Sequence, residues 1–166
     1  YLSINYSKLS TINKDYSYKQ KCNNLSNNNN GIWKCYFDNN INPELMIVMD
    51  DMERIDNNFS NNYNNELNHC VFSSDGKHFL FIYRYKSNGN KYSQLILSKA
   101  QSSNKNMIKI NNLFISHMCW IDNENVFYFG DSVDSGKGFY IYNLTNFTAK
   151  KVMPDNMNDG HPSIHN

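Results

Sequence analysis

The sequence predicts an all-β protein, specifically a segment of a β-propeller built from four-stranded antiparallel blades. Two observations lead to this prediction. The second half of the chain holds short segments rich in aromatic and β-branched residues, separated by clusters of Gly, Asn, Asp and Ser, a pattern typical of strands and turns. In addition, one sequence pattern recurs every 44–48 residues, which is a typical length for a propeller blade.

Four segments carry the strand pattern most clearly, and none of them sustains the period of an amphipathic helix. They are 78–85, 94–97, 126–129 and 139–142. Earlier in the chain, 32–37 and 45–49 are predicted as an outer pair of strands, and a short helical turn is expected near Asp50. The chain is therefore expected to be almost entirely strands and turns.

The repeat is clearest around two histidines. Residues 69–76 align with 117–124 at a constant offset of 48, and the same offset relates the strand segments 79–81 and 127–129. A third copy begins at His161, 44 residues after the second histidine. Because each copy is long enough for four short strands, each is interpreted as one blade.

This interpretation divides the chain into two nearly complete blades and two partial ones. Residues 1–66 hold the later strands of a first blade, 68–112 and 116–153 form the next two, and 160–166 open the innermost strand of another. A closed propeller needs about 4–8 blades. We therefore expect that the remaining blades of the same chain complete the ring.

Composition excludes several classes of partner. Lys and Arg number 16 against 15 Asp and Glu, so there is no basic surplus for binding nucleic acid. No apolar run approaches the roughly 18 residues of a membrane-spanning helix, and no span is expected. The four cysteines form no C-x-x-C pair; the compartment stays open, with reduced thiols slightly favouring the cytoplasm.

His69, His117 and His161 occupy the same position in three successive copies. That position is the start of the innermost strand, so the three imidazoles are expected to converge at the central channel. Such a group could bind a divalent metal ion, or it could transfer protons and donate hydrogen bonds to a polar ligand. Repeats also retain histidines that only link neighbouring strands, and this structural interpretation stays open.

Arg84 lies within an aromatic strand, between Tyr83 and Tyr85. A guanidinium is costly in such a place without a partner, and a carboxylate ligand or a buried Asp would provide one. An outward-facing Arg on an alternating strand is the other interpretation.

Two further groups are candidates for ligand binding. Asp159 precedes the third histidine and could bring a carboxylate to the channel mouth, although Asp-Gly is also an ordinary turn. Tyr16 and Tyr18, in a long polar excursion, could stack on sugar rings or could simply anchor the loop.

Three motifs in chain order resemble a bacterial β-propeller family related to oligogalacturonate lyases and to TolB-type propellers. The motifs are Asn68-His69-x-x-Phe72-Ser73-x-Asp75-Gly76, Ser116-His117-x-x-Trp120 and Asp159-Gly160-His161-Pro162-Ser163. This resemblance implies a saccharide or uronate site at the channel mouth. It also implies that a manganese ion is held there, with His117 and His161 as the best candidate ligands and His69 as a third.

The resemblance further implies catalytic positions for a β-elimination at Arg84 and Tyr83. The sequence departs from the family pattern there, since Tyr83 stands where a His is expected and Gln94 where an Arg is expected. These departures favour a saccharide-binding propeller without turnover. The alternatives are a metal-dependent polysaccharide lyase and a TolB-like propeller that binds a protein partner.

Overall fold

The chain is all-β, as predicted, in a computed structural model that describes residues 1–6, 9–10, 30–38, 40–56, 65–101, 106–111, 113–153 and 158–164. Its strands are β1 Leu2–Ile4, β2 Gly31–Lys34, β3 Glu44–Val48, β4 Glu66–Phe72, β5 His78–Ser87, β6 Asn90–Lys99, β7 Met107–Asn111, β8 Ile115–Trp120, β9 Asn125–Gly130, β10 Gly138–Asn143 and β11 Thr148–Lys151. One 3-10 helix, Met49–Arg54, follows β3. None of the described helices is long and apolar enough to cross a membrane.

The strands form three antiparallel sheets, and in each sheet strands adjacent in sequence are neighbours. The first sheet has the order β1-β2-β3, the second β4-β5-β6-β7 and the third β8-β9-β10-β11. Strands β4 and β8 are therefore edge strands at the same position of two equivalent sheets. His69 lies on β4 and His117 on β8, so these two histidines occupy equivalent edge strands.

The second sheet is buried on both faces because its residues alternate between two apolar clusters. Phe79 and Phe81 of β5 pack against the first sheet, in a cluster that includes Ile32 and Ile47. Successive strand residues point to opposite faces, so Ile82 points to the other side. There it packs against the third sheet.

Aromatic side chains dominate the third sheet. Tyr128 and Tyr140 face the second sheet, and their rings stack with centroids 5.4 Å apart. The opposite face carries Phe127, Phe129 and Phe139, all less than a tenth exposed. Both faces of this sheet are thus apolar, as in a sheet with neighbours on both sides.

The structure changes the predicted alignment of the two repeats beyond the turns that follow β4 and β8. Phe72 pairs with Phe79, whereas Trp120 pairs with Val126, so the second turn is one residue shorter. Val126 faces the preceding sheet just as Phe79 does. The offset of 48 therefore holds for β4 and β8, but it is 47 for β5 and β9.

The predicted innermost strand over 160–166 is not formed within its described part. Residues 158–164 have no regular secondary structure, and none of the described strands pairs with them. A strand requires a partner for its backbone hydrogen bonds. The segment nevertheless approaches β8 through its side chains.

Gly31→Ala is expected to destabilise the first sheet by about 1–3 kcal/mol. A Cβ at Gly31 would lie 2.0 Å from the carbonyl oxygen of Ile47, so the β2–β3 pair would have to separate. Urea unfolding followed by circular dichroism measures the loss. Gly160→Ala is the control, since a Cβ there meets nothing within 4 Å; equal stability of the two variants would contradict the described approach of β2 and β3.

Candidate functional site

The edge strands β4 and β8 each carry a β-bulge beside the histidine. The pairing of β4 with β5 shifts between Asn68 and Val71, around His69, and the pairing of β8 with β9 shifts between Ile115 and His117. His69 has a φ of +50°, which is uncommon for a residue other than glycine. Bulges redirect side chains and are frequent beside functional sites, so the same device positions both imidazoles.

The structure brings the three predicted histidines together. The ring centroids of His69 and His117 are 5.9 Å apart and nearly perpendicular. Those of His117 and His161 are 3.9 Å apart, with the rings tilted by 49°. His117 is therefore the central member, in contact with a histidine on each side.

Asp159 holds the central histidine. One of its carboxylate oxygens, Oδ1, lies 3.1 Å from Nδ1 of His117 and accepts a 2.6 Å hydrogen bond from the hydroxyl of Ser116. Because a carboxylate accepts, this pairing assigns the proton of a neutral ring to Nδ1, so that Nε2 is the acceptor. Burial opposes ionisation of Asp159, but the bonds from Ser116 and His117 outweigh it and lower its pKa.

Arg84 lies on the face of the second sheet that packs against the third sheet. It stands opposite Glu66 on β4 and opposite Ser93 on β6, and the Ser93 hydroxyl bonds to both backbone groups of Ile115 in β8. The guanidinium is 3.6 Å from the Glu66 carboxylate. The buried partner that Arg84 requires is thus Glu66.

Burial and charge set the protonation of this region. Burial, with contributions from Arg84, His117 and His161, lowers the pKa of His69 to about 4, so its imidazole is neutral at neutral pH. Burial also raises the pKa of Glu66, although Arg84 acts in the opposite direction. We call His69, His117, His161 and Asp159 the histidine site; the charge of Arg84 acts on it through His69.

Tyr83 does not join the histidine site. It is fully buried between the first and second sheets, with its ring 5.1 Å from that of Tyr85. Gln94 pairs with it on the same face and donates hydrogen bonds to Asp56 and to Tyr85. Adjacent strand residues face opposite sides, so Arg84 and Tyr83 cannot both reach the histidines, and the joint catalytic role predicted for them lacks the required geometry.

The sequence interpretation overlooked three buried polar residues beside the histidines. They are Glu66, Asn68 and Ser116, each at most 9% exposed. Asn68 and Ser116 directly precede His69 and His117 and share their 48-residue offset, a signal that could have identified them. Tyr16 and Tyr18 lie outside the described residues.

Two of these residues leave polar atoms unsatisfied. Within the described part of the chain, Oε2 of Glu66 and Nδ2 of Asn68 are buried without a hydrogen-bond partner. Buried polar atoms usually bond to protein or to ordered water, and leaving one unpaired costs about 1–3 kcal/mol. This part of the structure therefore has capacity for a polar molecule.

An apolar cavity adjoins the histidines. It has a volume of about 510 Å³ and lies between β4, β8 and the segment that carries Ile164. His69 is part of its wall, together with Phe72, Met118 and Trp120. We call it the inner cavity.

The described residues do not form a complete ligand set for the manganese ion that the resemblance implies. Among the described residues, no group of three or more His, Cys, Asp or Glu side chains is arranged to hold a metal ion. His117 has the partner expected of a metal ligand, since its Nδ1 faces a carboxylate. The histidines are close enough to touch, however, and this describes packed rings better than rings spread around an ion.

Comparisons with known proteins add no family assignment. No protein-family model matches the chain, and no curated protein or solved structure matches it. The structure thus defines an all-β protein of three antiparallel sheets, with a polar site beside the edge strands β4 and β8.

Lowering the pH is expected to destabilise the protein through His69. Its pKa in the folded protein, about 4, lies below the ordinary value of 6.5. Between these values the unfolded chain binds a proton that the folded chain excludes, so the contribution is full above pH 6.5 and is lost as pH falls towards 4. The loss is on the order of 2–3 kcal/mol.

Urea unfolding across this pH range measures the effect. His69→Asn should remove this part of the pH dependence, and asparagine tolerates the positive φ at the bulge. His78→Asn, a second histidine on the neighbouring strand, should retain it. Identical pH profiles for the two variants would contradict the assignment.

Proposed function

We propose that the chain is a β-propeller segment whose histidine site binds a saccharide bearing a carboxylate, such as a uronate, without turning it over. The observation that carries the proposal is the convergence of His69 and His117, from equivalent strands, with His161 of the irregular segment 158–164. Repeat packing alone accounts for similar positions of the histidines. It does not account for a carboxylate paired with the central histidine, or for an arginine close enough to act on His69.

The propeller arrangement is supported by the stacking of the sheets. Equivalent edge strands, β4 and β8, each carry a bulge beside a histidine, and Ser74 of one turn bonds to Asn123 of the next. The second sheet is buried on both faces. Repeated sheets that pack face to face, with their first strands on one side, are what a propeller requires.

The site offers complementary groups for such a ligand. Arg84 contacts Glu66 at 3.6 Å through one guanidinium nitrogen, and its remaining donors would supply the positive charge for the ligand carboxylate, since charge-assisted hydrogen bonds to a guanidinium are strong. His117 offers Nε2 and His69 a neutral imidazole to the hydroxyl groups. Asp159 fixes the orientation of His117, and no step of this proposal passes through a metal ion.

Calorimetric titration with trigalacturonate, with and without Mn²⁺, tests the proposal. We expect binding in both conditions and no unsaturated product by ultraviolet absorbance. Turnover that depends on Mn²⁺ would instead favour the lyase. Absence of binding in both conditions would overturn the proposal and leave a protein-binding propeller.

His117→Ala is expected to weaken this binding by at least about tenfold, because it removes the histidine that contacts both others. His78→Ala is the matched control, since that residue lines a different cavity. Equal losses in the two variants would contradict the assigned site.

A further inference from the structure

We propose that the inner cavity is an apolar subsite, which takes an aromatic aglycone attached to the saccharide at the histidine site. This inference rests on the proposed function and adds the chemical class of the ligand's second half. Its basis is continuity, because His69 belongs both to the histidine site and to the cavity wall. One ligand can therefore reach both.

The lining of the cavity specifies an apolar occupant. Among the described residues, no Asp, Glu, Lys or Arg lines it. The thiols of Cys70 and Cys119 are part of the lining. Burial raises the pKa of Cys70 to about 11 and also raises that of Cys119, so both thiols are uncharged. With Phe72 and Met118, they give a surface without charge.

An aromatic group fits this lining better than a second sugar. Beyond His69 and the thiols, the described lining offers two polar groups, and both have partners: the Ser74 hydroxyl donates to Asn123 and the indole nitrogen of Trp120 donates to Val71. The hydroxyl groups of a sugar would lose their water there, at a cost for each unpaired group. An aryl group incurs no such cost.

Trp120 is the expected contact for this group. Its indole nitrogen donates a 3.4 Å hydrogen bond to the carbonyl of Val71 on β4, so the side chain bridges the two innermost strands. The volume of about 510 Å³ is within the usual range of small-molecule sites. An indole held in this way presents a fixed apolar surface for stacking.

Calorimetry with phenyl β-glucuronide and methyl β-glucuronide tests the subsite. We expect the phenyl compound to bind at least about tenfold more tightly, which corresponds to burial of roughly 60 Å² of apolar surface. The chain has two tryptophans, so Trp33→Phe leaves Trp120 as the single reporter. In this variant the affinity ratio should persist, and the phenyl compound should change the tryptophan emission.

Trp120→Ala should bring the ratio of the two affinities close to one. Ile164→Asn is a second variant that alters the cavity at an exposed residue outside the strands, and it should lower the same ratio while circular dichroism confirms the fold. Equal affinities in the unaltered protein, or a ratio that survives both substitutions, would overturn the subsite. Failure of both glucuronides to bind would overturn the proposed function as well.

Discussion

Phe81→Ala and Ile82→Ala should each lower the free energy of unfolding substantially, by about 3–5 and 2–5 kcal/mol respectively. The two residues are adjacent on β5, and both are 0% exposed. Phe81 packs towards the first sheet and Ile82 towards the third. A sheet with one solvated face would tolerate one of these changes, whereas a sheet between two neighbours tolerates neither.

Urea unfolding measured by circular dichroism gives both values. Phe37→Ala is the control, since this side chain is 90% exposed and its loss should change stability by less than about 0.5 kcal/mol. If either core variant were as stable as this control, the stacking of three sheets would be wrong.

Arg84→Gln is expected to weaken uronate binding by about 10–100-fold, because a charge-assisted hydrogen bond contributes about 1.5–3 kcal/mol. The substitution also removes the partner of Glu66, and an unpaired buried charge is destabilising. Calorimetry with galacturonate and urea unfolding measure the two effects separately.

Two further variants distinguish the effect of losing the Arg84 charge on binding from its effect on the stability of the fold. Glu66→Gln combined with Arg84→Gln removes the unpaired carboxylate, so it should recover stability without recovering binding. Arg54→Gln is the control, as the chain has only one other arginine and its side chain is 61% exposed. Recovery of binding in the double variant would show that Arg84 acts only through the fold.

Much of the fold could be predicted from short aromatic and β-branched segments between polar turns. The segment from Phe79 to Tyr85 predicted a strand, and the structure shows why it is so apolar, since both faces of the sheet are covered. The one-residue difference between two turns could not be predicted, because a match of aromatic residues at 127–129 is satisfied in either register. Pairing with the neighbouring strand fixes the register.

The site was harder to predict than the fold. The shared spacing of the histidines predicts that they are neighbours, and Asp159 is a candidate from the sequence because it shortly precedes His161. The sequence could not predict which face of the sheet Tyr83 and Arg84 occupy, because a strand that is buried on both faces shows no polar and apolar alternation. Glu66 is distant from Arg84 in sequence, and only strand pairing brings them together.

Nuclear magnetic resonance of the imidazole nitrogens, during titration with galacturonate, tests the central claim most directly. The signals of His69, His117 and His161 are expected to shift with the same dependence on ligand concentration, whereas the signals of His78 are expected not to shift. Shifts of one imidazole alone, or of none, would contradict a site shared by the three histidines.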